Sequence, residues 1–353
     1  MSTWRDNVRK VIPYTPGEQP KEKNVIKLNT NENPYPPSPK VKEVMDSFDT
    51  SVLRKYPDPA VKDLVHALAA RYGVADDQVF VGVGSDDVIS MCFLTFFAGG
   101  KNVLFPDVTY SFYDVWASVY GVPYKTVALD ADFRINPADY AVENGGIIFP
   151  NPNAPTGVEE SLDTIRAILD ANKDSVVIVD EAYVDFGAAS ALPLVKEYEN
   201  LLVVQTFSKS RQMAGMRIGY SIGSPELIKY LNDVKYSVNS YTMNSLQIAT
   251  GVAAVEDEAY FEECCAKIMA TRERSEKELS KLGFTFPKSS ANFIFATHET
   301  VPAADIFAAL KEAGIYVRYF NKPRIDNYLR ITVGTDEEMD GLFEFLAKYL
   351  EDK

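Results

Sequence analysis

The chain has 353 residues, which is enough for one large and one smaller domain. Of these residues 46% are hydrophobic and 24% charged, as is usual for a globular protein. Its net charge of −14 argues against a nucleic-acid-binding surface and against binding to an anionic membrane. Cys92, Cys264 and Cys265 are an odd number and two of them are adjacent, which argues against a disulfide framework, and His66 and His298 are too far apart for metal-site spacing. The polar N-terminus and short apolar stretches predict a reduced, cytoplasmic protein without a membrane span or a metal.

Most of the chain alternates between helix and strand patterns. Residues 1–40 are rich in proline and asparagine, and we expect an ordered arm there rather than a helix. The alternation that follows predicts a mostly parallel sheet with helices on both faces, which is an α/β fold. Predicted helices cover 59–71, 85–97, 110–120, 162–171 and a long region 225–281, and predicted strands cover 79–83, 102–105, 146–149, 176–179, 201–207 and 218–222.

The last part of the chain has a different pattern. A helix near 303–313, strands at 315–320 and 328–334 and a final helix indicate a small α+β domain. We therefore predict three parts, which are an arm with part of the small domain (1–47), a large domain (48–255) and the C-terminal small domain (256–353).

Two predicted strands bring a carboxylate and a lysine to one edge of the sheet. The run VVIVD ends at Asp180 and leads to Tyr183, and the run LLVVQTF is followed by Ser208 and Lys209. Ligands bind at the carboxyl ends of strands in open α/β sheets. A lysine that forms a Schiff base and a carboxylate that holds a protonated ring nitrogen are what pyridoxal phosphate needs. The alternatives are a solvated lysine and a capping aspartate, although an unpaired buried carboxylate is costly.

A glycine-containing turn, GVGSDD at 82–87, follows a strand and opens a helix. Free amides at a helix N-terminus bind phosphate, and glycines allow its close approach. A dinucleotide fingerprint would need a third glycine where Asp87 stands, so an NAD site is disfavoured. The alternative is an ordinary turn with Ser85 or Asp86 as the N-cap. The predicted phosphate site consists of Gly84, Ser85, Asp86, Thr206, Ser208 and Arg217.

Three arginines lie within thirteen residues near the C-terminus of this acidic chain. Arg318 and Arg330 lie on predicted apolar strands and Arg324 lies in the loop between them. A charge within an apolar strand is unusual unless it faces a polar site. The three arginines predict an anion-binding lip, and the alternative is salt bridges to the many carboxylates. Tyr110 follows another strand, and its ring could stack on a planar cofactor.

With these motifs in this order, the chain resembles the fold-type I pyridoxal-phosphate aminotransferases, and within that family the histidinol-phosphate aminotransferases. The resemblance covers nearly the whole chain and is more specific for the fold type than for the substrate. It rests on PYTPGEQP, LNTNENP, KYPDP, GVGSDD, VTYSFY, NPNAPTG, VDEAYVDF, TFSKSRQMAGMRIG and LRITVG.

The resemblance implies a role for each matching residue. Lys209 would hold the cofactor aldehyde and shuttle a proton, Asp180 would bind the ring nitrogen, and Tyr183 the ring oxygen. The other implied cofactor contacts are Gly84, Ser85, Asp86, Tyr110, Asn153, Thr206, Ser208 and Arg217, with Tyr56 reaching in from the other subunit of a homodimer. The implied substrate contacts are Tyr14, Asn31, Arg318 and Arg330, of which Arg318 and Tyr14 would read a phosphate and Arg330 a carboxylate.

One residue departs from the family pattern. The commoner turn is Asn-Asn-Pro-Thr-Gly, and its second asparagine binds the ring oxygen, but this chain has Ala154 there. Either Asn153 takes that contact through a shifted turn or Tyr183 provides it alone.

The implied reaction is transamination between L-histidinol phosphate and 2-oxoglutarate, which gives imidazole acetol phosphate and glutamate in histidine biosynthesis. The alternatives are an aromatic or broad-range aminotransferase, a decarboxylase of a phospho-amino acid, and a non-catalytic cofactor-binding protein.

Overall fold

The structure is a computed structural model that describes residues 3–21, 24–351 and 353. The helices are α1 Pro39–Ser47, α2 Lys62–Tyr72, α3 Ser85–Phe96, α4 Tyr113–Tyr120, α5 Leu162–Ala171, α6 Pro225–Val238, α7 Ser245–Glu256, α8 Glu258–Lys281, α9 Ala303–Glu312 and α10 Asp336–Glu351. The strands are β1 Ile26–Lys27, β2 Val79–Gly82, β3 Val103–Pro106, β4 Tyr124–Val127, β5 Gly146–Pro150, β6 Val177–Asp180, β7 Leu201–Thr206, β8 Gly219–Gly223, β9 Phe284–Thr285, β10 Phe293–His298, β11 Ile315–Tyr316, β12 Arg318–Tyr319 and β13 Leu329–Thr332.

Within the described residues, the larger sheet has seven strands in the order β2-β8-β7-β6-β5-β3-β4. Neighbouring strands from β7 to β4 are parallel, whereas β8 is antiparallel to both β2 and β7. Parallel neighbours require crossover connections, and α4 supplies the one from β3 to β4 and α5 the one from β5 to β6. The predicted α/β fold with a mostly parallel sheet is confirmed.

The central strands are continuous apolar runs because helices cover both faces of the sheet. Every residue of β5, β6 and β7 is buried. On one face the strands pack against α5, whose buried residues Ile165, Ile168 and Leu169 recur at helical spacing. On the other face they pack against α3 through residues such as Val88 and Cys92. This double covering leaves the carboxyl ends of the strands as the open edge.

A smaller antiparallel sheet has the order β12-β13-β10-β9 and packs with α9 and α10. In β12 and β13, Arg318 pairs directly with Arg330. Strand β1 near the N-terminus pairs in parallel with β11, with Ile26 opposite Ile315. The segment after the N-terminal arm is thus joined to the C-terminal part of the chain. The division of the chain into parts at 1–47, 48–255 and 256–353 stays a prediction.

Several element boundaries differ from the sequence prediction. Helix α5 covers the predicted residues, and Gly73 ends α2 in the left-handed conformation (φ 63°), as a C-cap glycine does. The long helical region is instead three helices, α6, α7 and α8. Helix α4 begins at Tyr113 rather than at 110, so Tyr110 lies in the turn before it. The predicted strand 315–320 is split between β11 and β12, which pair with different partners.

Among the described residues, α8 is the longest helix, with 24 residues, but it is rich in charged side chains. In the part of the chain that the structure describes, no helix combines the length and apolar character of a membrane span.

Candidate active site

A cavity of about 220 Å³ opens at the carboxyl ends of β6 and β7. It brings together residues from the N-terminal segment, the large sheet and the β12–β13 hairpin. The predicted residues that line it are Tyr14, Asn31, Ser85, Asp86, Tyr110, Asp180, Tyr183, Thr206, Ser208, Lys209, Arg217, Arg318 and Arg330. Gly84, Asn153 and Tyr56 do not line it. We take this cavity as the candidate active site.

Lys209 lies in the cavity wall just beyond β7. Its Nζ donates to the backbone oxygen of Thr30 at 3.1 Å and lies 5.8 Å from the ring centre of Tyr183. Burial, and then the nearby charge of Arg330, lower the pKa of Lys209 to about 8. The amine is therefore neutral in a much larger fraction of molecules near pH 7 than an ordinary lysine, as a nucleophile or general base requires.

Asp180 ends β6 and is 4% exposed. It accepts hydrogen bonds from the Tyr113 hydroxyl at 2.9 Å and from the Ala182 amide at 3.2 Å. Burial raises the pKa of Asp180 to about 6, and the two hydrogen bonds partly oppose that effect. Among the described residues, no lysine or arginine forms an ion pair with this carboxylate. A protonated ring nitrogen would be a fitting partner.

The predicted phosphate site is assembled at the N-terminus of α3. Gly84 precedes the helix at φ 87°, and a β-carbon there would lie 2.5 Å from Nη2 of Arg217. Only glycine fits such a close approach at positive φ. The Thr206 hydroxyl donates to Ser208 at 3.0 Å, and Arg217 lies 3.5 Å from the same Ser208 oxygen. Donors from three segments thus surround one small space.

Asp86 takes part through its side chain in a way that the sequence did not predict. Its Oδ1 accepts a hydrogen bond from the Tyr110 hydroxyl at 2.8 Å, and its Oδ2 lies 3.4 Å from Arg217. The Tyr110 ring lines the cavity, as a stacking residue must. Burial and the nearby Asp86 charge raise the pKa of Tyr110 well above its ordinary value, so its hydroxyl stays protonated.

Of the two residues predicted to contact the ring oxygen, Tyr183 lines the cavity and Asn153 does not. The Tyr183 hydroxyl lines the cavity and accepts a hydrogen bond from Nδ2 of Asn31 at 2.9 Å. Asn153 instead directs its Nδ2 to the Val108 oxygen and to Thr156, both at 3.0 Å. Its neighbour Ala154 is the residue of that turn that faces the cavity. The geometry favours Tyr183 for this contact, and the role of Asn153 stays a prediction.

Arg318 and Arg330 both line the cavity from the β12–β13 hairpin. Arg318 donates to the backbone oxygens of Pro16 at 3.4 Å and Thr15 at 3.3 Å, and Arg330 donates to that of Asn29 at 3.1 Å. Within the described residues, neither guanidinium forms a salt bridge with a carboxylate. Both cations are therefore available to an anionic ligand.

The predicted anion-binding lip contained three arginines, and the prediction is wrong for one of them, Arg324. Arg324 points away from the cavity and binds Asp107 at 2.6 Å. The sequence alternative, a salt bridge, holds for this residue, because its loop packs on the end of β3 rather than over the opening.

The family resemblance implies site roles for both Tyr14 and Tyr56. Tyr14 lines the cavity and stacks on Phe112, with 4.5 Å between ring centres. Tyr56 lies outside it, is 81% exposed and contacts Tyr241 at 4.6 Å between ring centres. A role for Tyr56 thus requires a second copy of the chain.

Sequence reasoning missed several residues of the cavity and its surroundings. The segment 29–33 contributes more than Asn31, because the Thr30 oxygen binds Lys209 and Asn33 donates to the Lys209 backbone at 2.9 Å. Glu32 also lines the cavity. The signal was the motif LNTNENP, in which a run of polar residues begins just beyond strand β1.

Comparison with known proteins identifies the family. The sequence profile of the family described as aminotransferase class I and II matches residues 23–346. The chain therefore belongs to the class I and II aminotransferase family, and the protein is an aminotransferase, as predicted.

Particular relatives are histidinol-phosphate aminotransferases. Histidinol-phosphate aminotransferase 1 of Hydrogenovibrio crunogenus is 53% identical over 348 residues, which are 99% of this chain and 98% of that protein. The predicted resemblance to this group is thereby confirmed. The crystal structure of the histidinol-phosphate aminotransferase from Clostridium acetobutylicum shares the fold, with a TM-score of 0.86, 21% identity and coverage of 93% and 99% of the two chains. The enzyme from Sinorhizobium meliloti in complex with pyridoxal-5'-phosphate also shares it, with a TM-score of 0.83, 24% identity and coverage of 92% and 91%.

The cavity residues fit pyridoxal phosphate on grounds internal to this structure. Asp180 is a buried carboxylate with no cationic partner among the described residues, and Lys209 is an amine of lowered pKa in the same cavity. Glycine at position 84 leaves room for the Arg217 guanidinium beside the N-terminus of α3, where Ser85 and Ser208 also line the cavity. A carboxylate, an amine and a phosphate site around one aromatic face match the three polar ends of this cofactor.

Proposed function

We propose that this protein transfers the amino group of L-histidinol phosphate to 2-oxoglutarate with pyridoxal phosphate as its cofactor, in histidine biosynthesis. The products are imidazole acetol phosphate and glutamate. The observation that carries the substrate assignment is Arg318, which lies in the wall of the cavity that contains Lys209 and has backbone oxygens as its hydrogen-bond acceptors. The identity of about half the residues with named histidinol-phosphate aminotransferases supports the same substrate.

Pyridoxal phosphate, when bound, supplies an electron sink for the charge that develops at the substrate Cα. Asp180 would hold the ring nitrogen in its protonated form, which requires an ionised carboxylate. The hydrogen bonds from Tyr113 and Ala182 favour that ionised form and fix its orientation. Tyr183 would donate to the ring oxygen, and Tyr110 would cover one face of the ring.

Lys209 would move the proton. Its Nζ lies in the cavity wall and has a pKa of about 8, so the neutral amine could accept a proton from the substrate Cα and deliver it to the cofactor carbon that carries the substrate nitrogen. The Thr30 oxygen at 3.1 Å gives the amine a fixed acceptor when it is not bonded to the cofactor. Burial, and after it the cation of Arg330, keep the pKa of this amine below that of an ordinary lysine.

Two arginines would divide the anionic groups of the substrates. Arg318, with Tyr14 beside it, would bind the phosphate of histidinol phosphate. Arg330 would bind the α-carboxylate of glutamate and 2-oxoglutarate. Histidinol phosphate has a hydroxymethyl group in place of that carboxylate, so Arg330 would contribute less to its binding.

The active enzyme would be a homodimer. Tyr56 and Tyr241 form an exposed aromatic pair outside the cavity, and Val52, Leu53 and Val238, which are within four residues of the two tyrosines in sequence, are exposed as well. A second copy would cover such a surface and bring Tyr56 to the cofactor phosphate of its neighbour.

A coupled assay tests the proposal. The purified protein, supplied with pyridoxal phosphate, L-histidinol phosphate and 2-oxoglutarate, should form glutamate and imidazole acetol phosphate in equal amounts. Preferred turnover of phenylalanine would instead identify a broad-range aromatic aminotransferase. Release of carbon dioxide from a phospho-amino acid would identify a decarboxylase.

A further inference from the structure

The β12–β13 hairpin carries both substrate arginines, and its register sets them directly opposite each other. Like charges in a cross-strand pair destabilise a hairpin. Strand β12 has only two residues, so its pairing with β13 is short. Strand β13 and Arg330 are also held by pairing with β10, whereas the position of β12 and Arg318 depends on contacts that hold the hairpin from outside.

Arg324, in the loop that joins the two strands, provides such contacts. Its Nη1 donates to Asp107 at 2.6 Å, and its Nη2 donates to the oxygens of Leu129 at 3.0 Å and Asp130 at 2.7 Å. The residue has a φ of 70°, which is unfavourable for a side chain with a β-carbon. Such a conformation persists only where the surroundings hold it in place. Three hydrogen bonds to the large-sheet part of the chain do so here.

Asp107 connects this contact to the other side of the cavity. Its second carboxylate oxygen accepts hydrogen bonds from the amides of Val108 at 2.9 Å and Leu129 at 3.0 Å. Those bonds order the segment that begins at the end of β3 and reaches Tyr110 two residues after Val108. One carboxylate thus holds the hairpin loop and the segment that carries the stacking aromatic ring.

An apolar cluster below the ion pair joins the same two parts. Val108, Leu129 and Phe133 from the large-sheet part pack with Phe295 and Ile325 from the smaller-sheet part. Arg324 lies 5.7 Å above the Phe133 ring. The ion pair therefore lies beside an apolar contact between the large-sheet part and the smaller-sheet part of the chain.

We propose that Arg324 and Asp107 are positioning residues, which fix the distance between the cofactor-stacking Tyr110 and the substrate arginines 318 and 330. This proposal rests on the proposed function of those two arginines. The pair contributes little to global stability, because the side chains of Arg324 and Asp107 are 35% and 27% exposed. Its effect should appear in substrate binding instead.

The test compares Arg324→Gln, Arg324→Lys and Asp107→Asn with wild type in the cofactor-loaded enzyme. Asp107→Asn keeps an oxygen for the two amides and removes the charge. Arg166→Gln is the matched control, because Arg166 and Glu197 form an ion pair of similar exposure (37% and 48%) far from the cavity in the large-sheet part.

We expect Arg324→Gln to raise the KM for histidinol phosphate on the order of 10-fold, since small misplacements of binding groups are costly, with kcat changed less than about 3-fold. Arg324→Lys should lie between wild type and Arg324→Gln. The control should change neither constant. A melting temperature that falls with loss of bound cofactor, or a KM equal to that of the control, would overturn the proposal.

A double-mutant cycle separates positioning from a general effect. If Arg324 acts through Arg318, then Arg324→Gln should change KM less than about 3-fold in an Arg318→Gln background. Additive losses would contradict the proposal.

Failure of the proposed function is a different result. If wild type does not turn over histidinol phosphate, the same variants are compared in the glutamate half-reaction, where the hairpin acts through Arg330. A raised KM for glutamate in Arg324→Gln would support the positioning role, and an unchanged one would refute it.

Discussion

The hydroxyl of Tyr113 donates a 2.9 Å hydrogen bond to Oδ2 of Asp180, and both side chains are buried. Tyr113 is the first residue of α4, and its ring lies edge-on to that of Tyr110, with 5.7 Å between centres. The segment that places Tyr110 in the cavity wall therefore also holds the Asp180 carboxylate. One short stretch of chain thus orients two side chains to which we assign cofactor contacts, Tyr110 and, through Tyr113, Asp180.

Tyr113→Phe should weaken cofactor binding. Loss of this hydrogen bond leaves Asp180 with the Ala182 amide and raises the pKa of the carboxyl further above its already raised value of about 6. The ionised form is the one that holds a pyridinium, so affinity should fall as pH drops through that pKa. We expect a loss of roughly 2–10-fold near pH 7, the scale of one hydrogen bond, and a larger loss near pH 6.

The measurement is an equilibrium titration of cofactor-free protein with pyridoxal phosphate at several pH values. Tyr140→Phe is the control, because Tyr140 is also fully buried and its hydroxyl has no hydrogen-bond partner among the described residues. An affinity loss that is equal in the two variants, or that shrinks toward low pH, would contradict the role of Tyr113.

Lys209 should capture the cofactor with an unusual pH dependence. Only the neutral amine attacks an aldehyde, and burial together with Arg330 lowers the pKa of Lys209 to about 8. The rate of covalent capture by cofactor-free protein should therefore rise with pH and reach half its maximum near pH 8. An ordinary lysine would require about pH 10.4.

Stopped-flow absorbance gives this rate, and borohydride fixation followed by peptide mapping locates the modified amine. Lys209→Ala should abolish fixation and reduce turnover by several orders of magnitude. Lys235→Ala is the control, because burial also lowers the pKa of Lys235, which binds the Pro59 oxygen outside the cavity. Fixation on Lys235, or near-native turnover without Lys209, would refute the assignment.

Tyr56 should act only in a dimer. Its side chain is 81% exposed and lies outside the cavity of its own chain. Tyr56 can therefore contact only the cofactor that is bound in the cavity of a second subunit. Tyr56→Phe should weaken cofactor retention roughly 2–10-fold, the effect of one lost hydrogen bond. Tyr230→Phe is the control, since Tyr230 is an exposed tyrosine bonded to Glu226 in its own helix. A fully active monomer in sedimentation at assay concentration would exclude this role.

Much of the fold and the polar centre of the site was predictable because the signals are local. Asp180 and Lys209 each follow a buried apolar run, and helix α5 has an apolar face at helical spacing. Strand β4 was missed because it is an edge strand, YKTV, whose residues are largely exposed. The antiparallel direction of β8 was equally hidden, since a buried strand has the same pattern in either direction.

Contacts between distant segments could not be predicted in the same way. Tyr113 and Asp180 are 67 residues apart, Thr30 and Lys209 are 179 apart, and Arg324 and Asp107 are 217 apart. No local period connects such pairs. Arg324 is an arginine close in sequence to Arg318 and Arg330, so the sequence does not distinguish it from them. Only the geometry of its loop directs it to Asp107 instead of to the cavity.

The central claim is that Arg318 selects a phosphorylated substrate, and the effect of Arg318→Gln on two substrates tests it most directly. The kcat/KM values for L-histidinol phosphate and for unphosphorylated L-histidinol are measured in wild type and in the variant. We predict a loss on the order of 10–100-fold for the phosphorylated substrate, the scale of a charge-assisted hydrogen bond, and a change of less than about 3-fold for histidinol. Equal losses for both substrates would contradict the claim and assign Arg318 a structural role.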